Sequence, residues 1–133
     1  MALGDLRHLM LYVKDIEASR PFYQAVLGYM GYGLAHGSEN YAMWVPQGGV
    51  FGLGIVSANA DLASLRHQRG APGFHHLAFN ASSREEVDGL YEILQDLGAT
   101  VLDPPGPCPE YSPTYYAIYF EDPDGMKLEL AHS

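Results

Sequence analysis

The sequence predicts an α+β fold in which two βαβββ modules form a curved mixed sheet around a shared cleft. Short apolar runs of strand length alternate with two helical patterns, and Gly and Pro residues separate these segments. The order of the segments then repeats, so the second half of the chain follows the pattern of the first. At 133 residues the chain has the length of one domain. We expect this domain to contain a first module at residues 5–58, a linker at 59–73 and a second module at 74–133.

The first module begins with a strand at residues 7–13. Asp15 is placed to cap the helix that follows, and apolar residues recur at helical spacing up to Gly28. Pro21 falls inside this helix, where it removes one backbone hydrogen bond and predicts a kink or a restart. Three strands follow, and a Pro-Gln-Gly-Gly turn joins the last two, at residues 29–34, 41–45 and 50–56.

The linker carries a helix-like stretch at residues 62–68, and the second module then starts with a strand at 76–79. Ser83 and Glu86 form a capping box in front of an apolar helix face, and Gly98 ends that helix. The remaining segments are three strands, a proline-rich loop and a tight turn, at residues 101–102, 115–120, 127–131, 104–113 and 122–125.

Charge and composition exclude several classes of partner. The formal net charge is −9, with 16 acidic against 7 basic residues, and such a domain repels nucleic-acid phosphates. No apolar run approaches the ~18 residues of a membrane-spanning helix, so we expect no membrane partner. The single cysteine, Cys108, excludes an internal disulfide, and no secretory pattern is present, so we expect a cytoplasmic protein.

The alternation of side chains along each strand predicts which residues face the cleft. In the first strand the apolar side chains pack beneath the helix and leave His8 and Met10 on the opposite face. The matching strand of the second module places His76 there rather than its neighbour His75, and the last strand adds Glu129. Two imidazoles and a carboxylate suit a divalent metal ion such as Zn, Fe, Mn, Ni or Co, with coordination positions left for a substrate.

Other polar and aromatic residues have less specific patterns. Tyr115 and Tyr119 point inward from the same strand, where each either moves a proton or lines the pocket. Glu121, at the end of that strand, is expected to be solvated. Cys108 lies in the proline-rich loop without a neighbouring base or cation, so we expect no catalytic thiol.

Four segments together resemble the vicinal oxygen chelate superfamily, at residues 8–15, 22–28, 73–79 and 119–129. This superfamily contains glyoxalases, fosfomycin-resistance transferases, extradiol dioxygenases, methylmalonyl-CoA epimerases and bleomycin-binding proteins. The resemblance implies the glyoxalase fold, a small-molecule substrate and a homodimer. It also implies that His8, His76 and Glu129 occupy metal-ligand positions.

The resemblance extends to the substrate side of the site. Tyr119 matches a substrate-contacting tyrosine of the fosfomycin enzymes, but Met10 stands where those enzymes carry threonine. Met43 and Trp44 lie on opposite faces of one strand, and position within the family favours Trp44 for the cleft. Glyoxalases place a fourth, carboxylate ligand in the strand at residues 50–56, which holds no acid here, so a three-ligand site is implied.

These patterns lead to two functional hypotheses. The first is a metal-dependent enzyme of lyase, isomerase, transferase or dioxygenase type, and the second is a metal-free protein that binds and sequesters a small molecule. A ligand-sensing accessory domain is a third and weaker alternative. For the enzyme, the expected catalytic residues are Tyr119 and Glu129, the substrate-binding residues Trp44, Tyr115, Tyr119 and Met10, and the metal ligands His8, His76 and Glu129.

Overall fold

Each half of the chain contains four strands and one helix in the same order, so the whole chain has eight strands and two helices. The computed structural model describes residues 1–133, which form two compact units, Met1–Leu65 and Arg66–Ser133. The first contains β1 (His8–Val13), α1 (Ile16–Tyr29), β2 (Tyr32–Ser38), β3 (Tyr41–Pro46) and β4 (Gly52–Ser57). The second contains β5 (Leu77–Asn80), α2 (Arg84–Asp96), β6 (Val101–Pro107), β7 (Tyr116–Glu121) and β8 (Lys127–His132). The α+β class and the βαβββ order are therefore confirmed, and a single domain built from both modules stays a prediction.

Each unit is a four-stranded mixed sheet with one helix packed against it. In the first unit the strand order is β1-β4-β3-β2, where β1 and β4 are parallel and the other neighbours are antiparallel. The second unit repeats this arrangement as β5-β8-β7-β6, with β5 and β8 parallel. The first strand of each module therefore lies beside the last strand of the same module.

Helix α1 begins where the sequence predicts it. The Asp15 carboxylate accepts a hydrogen bond from the Glu17 amide at 3.0 Å and satisfies one of the free amides of the first turn. The helix continues without interruption through Pro21, so the alternative of a restart is wrong. Its buried side chains, which pack towards the sheet, are Ile16, Ser19, Phe22, Tyr23, Val26 and Leu27.

Helix α2 begins with a modified capping box. The Ser83 hydroxyl accepts from the Glu86 amide at 3.2 Å, while the Glu86 carboxylate accepts from the Ser82 amide at 2.6 Å. Gly98 follows the helix with a φ of 67°, a left-handed conformation that favours glycine and ends the helix. The side chains of Val87, Leu90 and Leu94 are buried. Neither α1 nor α2 is long and apolar enough to cross a membrane.

Three predicted segments differ in the structure. The stretch predicted as helix-like forms turns up to residue 64 and has no regular structure at residues 65–68. The strand predicted at residues 29–34 is found at Tyr32–Ser38, because α1 continues to Tyr29. The predicted proline-rich loop starts later, because β6 continues to Pro107. This strand lies at the edge of its sheet, where prolines remove few ladder hydrogen bonds. The register shifts after Val101 and after Asp103, and such irregularities accommodate the prolines.

Candidate functional site

Glu129 lies in the middle of β8, on the sheet face turned away from α2. Strand register places it opposite Ala78 of β5 and Tyr119 of β7, so these side chains share one face, here named the site face. The neighbouring Leu128 and Leu130 point to the other face and are buried there. The predicted alternation along β8 is therefore confirmed.

The Glu129 carboxylate is buried and has two side-chain partners. Only 2% of the residue is exposed. The Tyr115 hydroxyl donates to Oε1 at 2.5 Å, and His76 Nε2 lies 3.0 Å from Oε2. A carboxylate removed from water needs such partners, because burying an unpaired charge is costly. The second unit thus brings together three residues that the sequence predicted for the site.

His76 has a second polar neighbour that the sequence analysis did not assign to the site. The Nδ1 atoms of His75 and His76 lie 2.7 Å apart, and the two rings meet edge to face with centroids 4.9 Å apart. Both residues precede β5, so strict strand alternation does not separate their side chains. The only sign of this contact in the sequence is that the two histidines are adjacent. Whether their Nδ1 atoms meet depends on the side-chain rotamers, which the sequence does not specify.

The two tyrosines of the site hold their protons strongly. Burial raises the pKa of Tyr115 to about 12, with further contributions from its hydrogen bond to Glu129 and from the Glu129 charge. Burial also raises the pKa of Tyr119, followed by the Glu129 charge and hydrogen bonding. Both phenols are therefore neutral donors at physiological pH rather than bases.

The Tyr119 ring is fixed by neighbours on the site face. Its centroid lies 6.3 Å from that of His76, with an edge-to-face angle of 66°. The Lys127 ammonium lies 4.7 Å from the Tyr119 centroid, within the range of a cation–π contact. These contacts give Tyr119 a defined position beside the Glu129 carboxylate.

A small pocket of about 230 Å³ opens beside Tyr119. It is lined by β6, by the loop between β6 and β7, and by β7. The lining residues are Asp103, Pro104, Gly106, Pro107, Cys108, Glu110, Ala117 and Tyr119. Burial raises the pKa of the Cys108 thiol, and the charges of Glu110, Glu129 and Asp103 raise it further. The thiol therefore remains protonated and lacks the electropositive setting that a nucleophilic cysteine needs.

His8 lies in the first unit, at the exposed start of β1. A Cβ placed on Gly52 would lie 3.7 Å from His8 Cβ and 2.8 Å from the Met43 sulfur. A Cβ placed on Gly54 would lie 2.5 Å from the Met10 sulfur. The two glycines therefore leave space that methionine thioethers fill, and a carboxylate side chain at either position would displace them.

Trp44 does not lie on the His8 face, so its predicted role in substrate binding is wrong. The residue is 0% exposed and its ring centroid lies 6.2 Å from that of Tyr23 on α1. Its indole nitrogen donates to Gln24 Oε1 at 2.8 Å. Met43, on the opposite face of β3, takes the position beside Met10 and His8. Both residues are apolar, so alternation alone did not indicate which one faces the helix.

Glu121 is buried rather than solvated. Its carboxylate lies 3.3 Å from Arg66 Nη2 and 3.1 Å from Arg69 Nη2. Its partners come from a segment far away in sequence, so the strand pattern did not predict them. Glu121 therefore anchors residues 66–69 to the end of β7.

The three predicted metal ligands are divided between the two units. His76 and Glu129 meet in the second unit, and His8 belongs to the first. The structure contains no group of three or more His, Cys, Asp or Glu side chains that could hold a metal ion. The three-ligand set therefore stays a prediction.

Comparison with known proteins places this geometry among related folds. A family model of the Glyoxalase/Bleomycin resistance protein/Dioxygenase superfamily matches residues 5–130. The chain is 34% identical over 131 residues to the uncharacterized protein YqjT of Bacillus subtilis, covering 94% of this chain and 96% of YqjT. It is 31% identical over 131 residues to a probable lactoylglutathione lyase of Synechocystis, covering 94% and 92%. The crystal structure of a glyoxalase candidate from Bacillus halodurans matches with a TM-score of 0.85 at 28% identity, covering 98% of this chain and 97% of the other.

Proposed function

Because this chain belongs to the glyoxalase/bleomycin resistance protein/dioxygenase superfamily, we propose that it is a metal-dependent enzyme acting on a small carbonyl or oxygenated substrate. The observation that carries this proposal is the Glu129 carboxylate, buried on the site face between His76 and Tyr115. A buried ionisable group of this kind is expensive for the fold, even when it is paired. Its contacts with His76 and Tyr115, two further candidate site residues, favour a functional role over a purely structural one.

Glu129 and His76 are of the residue types that bind divalent metal ions. Glu129 would supply carboxylate oxygens and His76 would supply Nε2, and these atoms lie within hydrogen-bonding distance of each other. We assign His8 of the first unit as the third ligand. Imidazole and carboxylate donors suit Zn, Fe, Mn, Ni and Co, and three protein ligands leave positions for a substrate.

The chemistry follows from the metal and from the two neutral phenols. A divalent metal held by these residues would polarise a substrate oxygen and would stabilise negative charge on it. Tyr115 orients the Glu129 carboxylate through its hydrogen bond. Tyr119 holds its proton and lines the pocket, so it is placed to donate a hydrogen bond or a proton to a bound substrate. The identity of the substrate then decides between lyase, isomerase, transferase and dioxygenase reactions.

The pocket beside Tyr119 favours a small substrate. Its volume of about 230 Å³ lies below the ~300–1,000 Å³ typical of sites for drug-sized ligands. Asp103 and Glu110 line it and place negative charge at its edge. This charge favours a neutral substrate portion over an anionic one at this end of the site.

Assembly and location complete the proposal. We assign a homodimer, on the basis of the family resemblance, and a small molecule as the ligand. The single cysteine in the sequence favours a reducing compartment such as the cytoplasm.

Metal-free binding of a small apolar molecule is the second candidate function. The thioethers of Met10 and Met43 support it, because methionine side chains adapt to ligands of different shape. The two functions differ in their dependence on metal. An apolar ligand bound without metal would be insensitive to a chelator, whereas a metal-dependent substrate would be released by it.

Elemental analysis of protein purified without an affinity tag tests the first proposal. We expect close to one divalent metal ion per chain in the wild type. In Glu129→Gln the metal content should be strongly reduced, because the amide keeps the shape of the carboxylate but loses its charge.

The control for this measurement is Glu92→Gln. Glu92 is an exposed carboxylate on α2, away from the site face, so its variant should keep the metal content of the wild type. A wild type that contains no divalent metal, and takes up none when it is supplied, would contradict the enzyme proposal and leave the binding protein.

A further inference from the structure

The contact between His75 and His76 has a role that the three-ligand set does not include. We infer that His75 is a positioning residue, which holds the His76 ring through the contact between their Nδ1 atoms so that Nε2 faces Glu129. The 2.7 Å separation of the Nδ1 atoms requires one of them to donate and the other to accept. The part of this inference that concerns metal affinity rests on the proposed function.

Glu129 sets the direction of these hydrogen bonds when the rings are neutral and no metal is bound. The carboxylate accepts hydrogen bonds, so His76 carries its hydrogen on Nε2, which lies 3.0 Å from Oε2. His76 Nδ1 is then an acceptor, and the hydrogen shared with it belongs to His75 Nδ1. Both hydrogen bonds are thereby donated in the same direction, from His75 to His76 and from His76 to Glu129.

If His76 Nε2 binds a metal ion, the hydrogen bond between the two histidines is donated in the opposite direction. Nε2 then offers its lone pair, so the hydrogen of the neutral ring resides on Nδ1 and is donated to His75 Nδ1. His75 in turn carries its hydrogen on Nε2. Each ring still holds one hydrogen, so the change is a rearrangement without net proton uptake. Because His75 is exposed, its Nε2 can exchange the hydrogen with water.

Histidine is suited to this position because its Nδ1 atom serves as donor in one arrangement and as acceptor in the other. A lysine offers only donors, and a carboxylate offers only acceptors when ionised. His75 therefore supports His76 both before and after metal binding. Partners of this kind orient metal ligands in many sites, and their loss typically lowers metal affinity about 10- to 100-fold.

Three variants separate the hydrogen bond from simple packing. His75→Phe keeps an aromatic ring against His76 but removes the nitrogen. His75→Asn places an amide nitrogen and oxygen near the position of Nδ1 and restores a donor and an acceptor. His132→Phe is the control, since His132 lies opposite Tyr116 on the face of β8 that is turned towards α2 and away from the site.

Two measurements are made on each protein. Nitrogen-15 NMR of the imidazoles in metal-free protein reports which nitrogen of His76 carries the hydrogen. Calorimetric titration with Zn²⁺ alone reports the affinity for metal. We expect a single His76 tautomer, with hydrogen on Nε2, in the wild type, in His75→Asn and in the control. In His75→Phe the His76 ring loses its support and should turn away from Glu129 part of the time. We therefore expect a mixture of tautomers and a Zn²⁺ affinity lowered about 10- to 100-fold.

The outcomes for the inference and for the proposed function are distinct. If His75→Phe keeps the single tautomer and the Zn²⁺ affinity of the wild type, His75 has no positioning role. If the wild type binds no Zn²⁺, the proposed function fails, and the NMR measurement alone decides whether His75 orients His76.

Discussion

At the scale of single residues, the site depends on a carboxylate that has almost no contact with water. Glu129 is stabilised by the Tyr115 hydroxyl and by His76, and both partners come from the same unit. Strand alternation in the sequence was sufficient to place Glu129 and Tyr119 on one face, because polar and apolar residues alternate clearly in β8. The hydrogen bonds themselves depend on rotamers, which a sequence pattern does not specify.

Removing the Tyr115 hydroxyl should destabilise the protein measurably. Tyr115→Phe leaves Oε1 of a buried carboxylate without its donor, so the free energy of unfolding should fall by about 1–3 kcal/mol. Urea denaturation of the two proteins measures this difference. Tyr111→Phe is the matched control, because Tyr111 is 65% exposed and its hydroxyl should contribute little.

The stabilisation by Tyr115 should also depend on pH in a defined direction. Its pKa is about 12 in the folded protein and ~10 in an unfolded chain, so the folded state favours the neutral phenol. The contribution is therefore complete below pH ~10 and is lost as the pH rises towards 12. Equal unfolding free energies for Tyr115→Phe and Tyr111→Phe at neutral pH would contradict this account of Tyr115.

At the scale of elements, β3 is a strand in which the sequence pattern does not predict the face on which each side chain lies. Ala42 and Trp44 face the helix, and Met43 faces the opposite side of the sheet. All of these residues are apolar, so the alternation that placed Glu129 does not discriminate between the faces of β3. On the face opposite the helix, the two glycines of β4 leave space that the side chains of Met10 and Met43 occupy.

Trp44 is the one tryptophan of the chain, so its fluorescence tests whether the indole is buried against α1. Because Trp44 is fully buried against Tyr23, acrylamide should quench the folded protein much less than the same protein in urea. Saturation with Zn²⁺ should leave the quenching unchanged. Equal quenching of the folded and unfolded protein would place the indole at an accessible surface and restore the predicted contact with substrate.

Other elements were predictable to different degrees. The start of α1 at Asp15 and the end of α2 near Gly98 follow from local hydrogen bonding and backbone conformation, which the residue types indicate directly. The strand β6 was not predictable in full, because prolines usually interrupt strands and only its place at the sheet edge allows them. The burial of Glu121 depends on arginines more than fifty positions away.

At the scale of the whole molecule, the repeat of the βαβββ pattern was visible in the sequence and is present in both units. The units are alike in strand order and unequal in chemistry. The second unit contains His76, Glu129 and both tyrosines, and the first contains His8 and the thioethers of Met10 and Met43. The central proposal is that His8, His76 and Glu129 are ligands of one metal ion.

Calorimetric titration of metal-free protein with Zn²⁺ tests this claim most directly, with His8→Ala, His76→Ala and the control His132→Ala, since His132 lies on the α2 face of β8. The account predicts one Zn²⁺ per chain in the wild type and the control. Each ligand variant should lose more affinity than the about 10- to 100-fold that a supporting partner contributes. A His8→Ala protein that binds Zn²⁺ as tightly as the wild type, or a wild type that binds none, would contradict it.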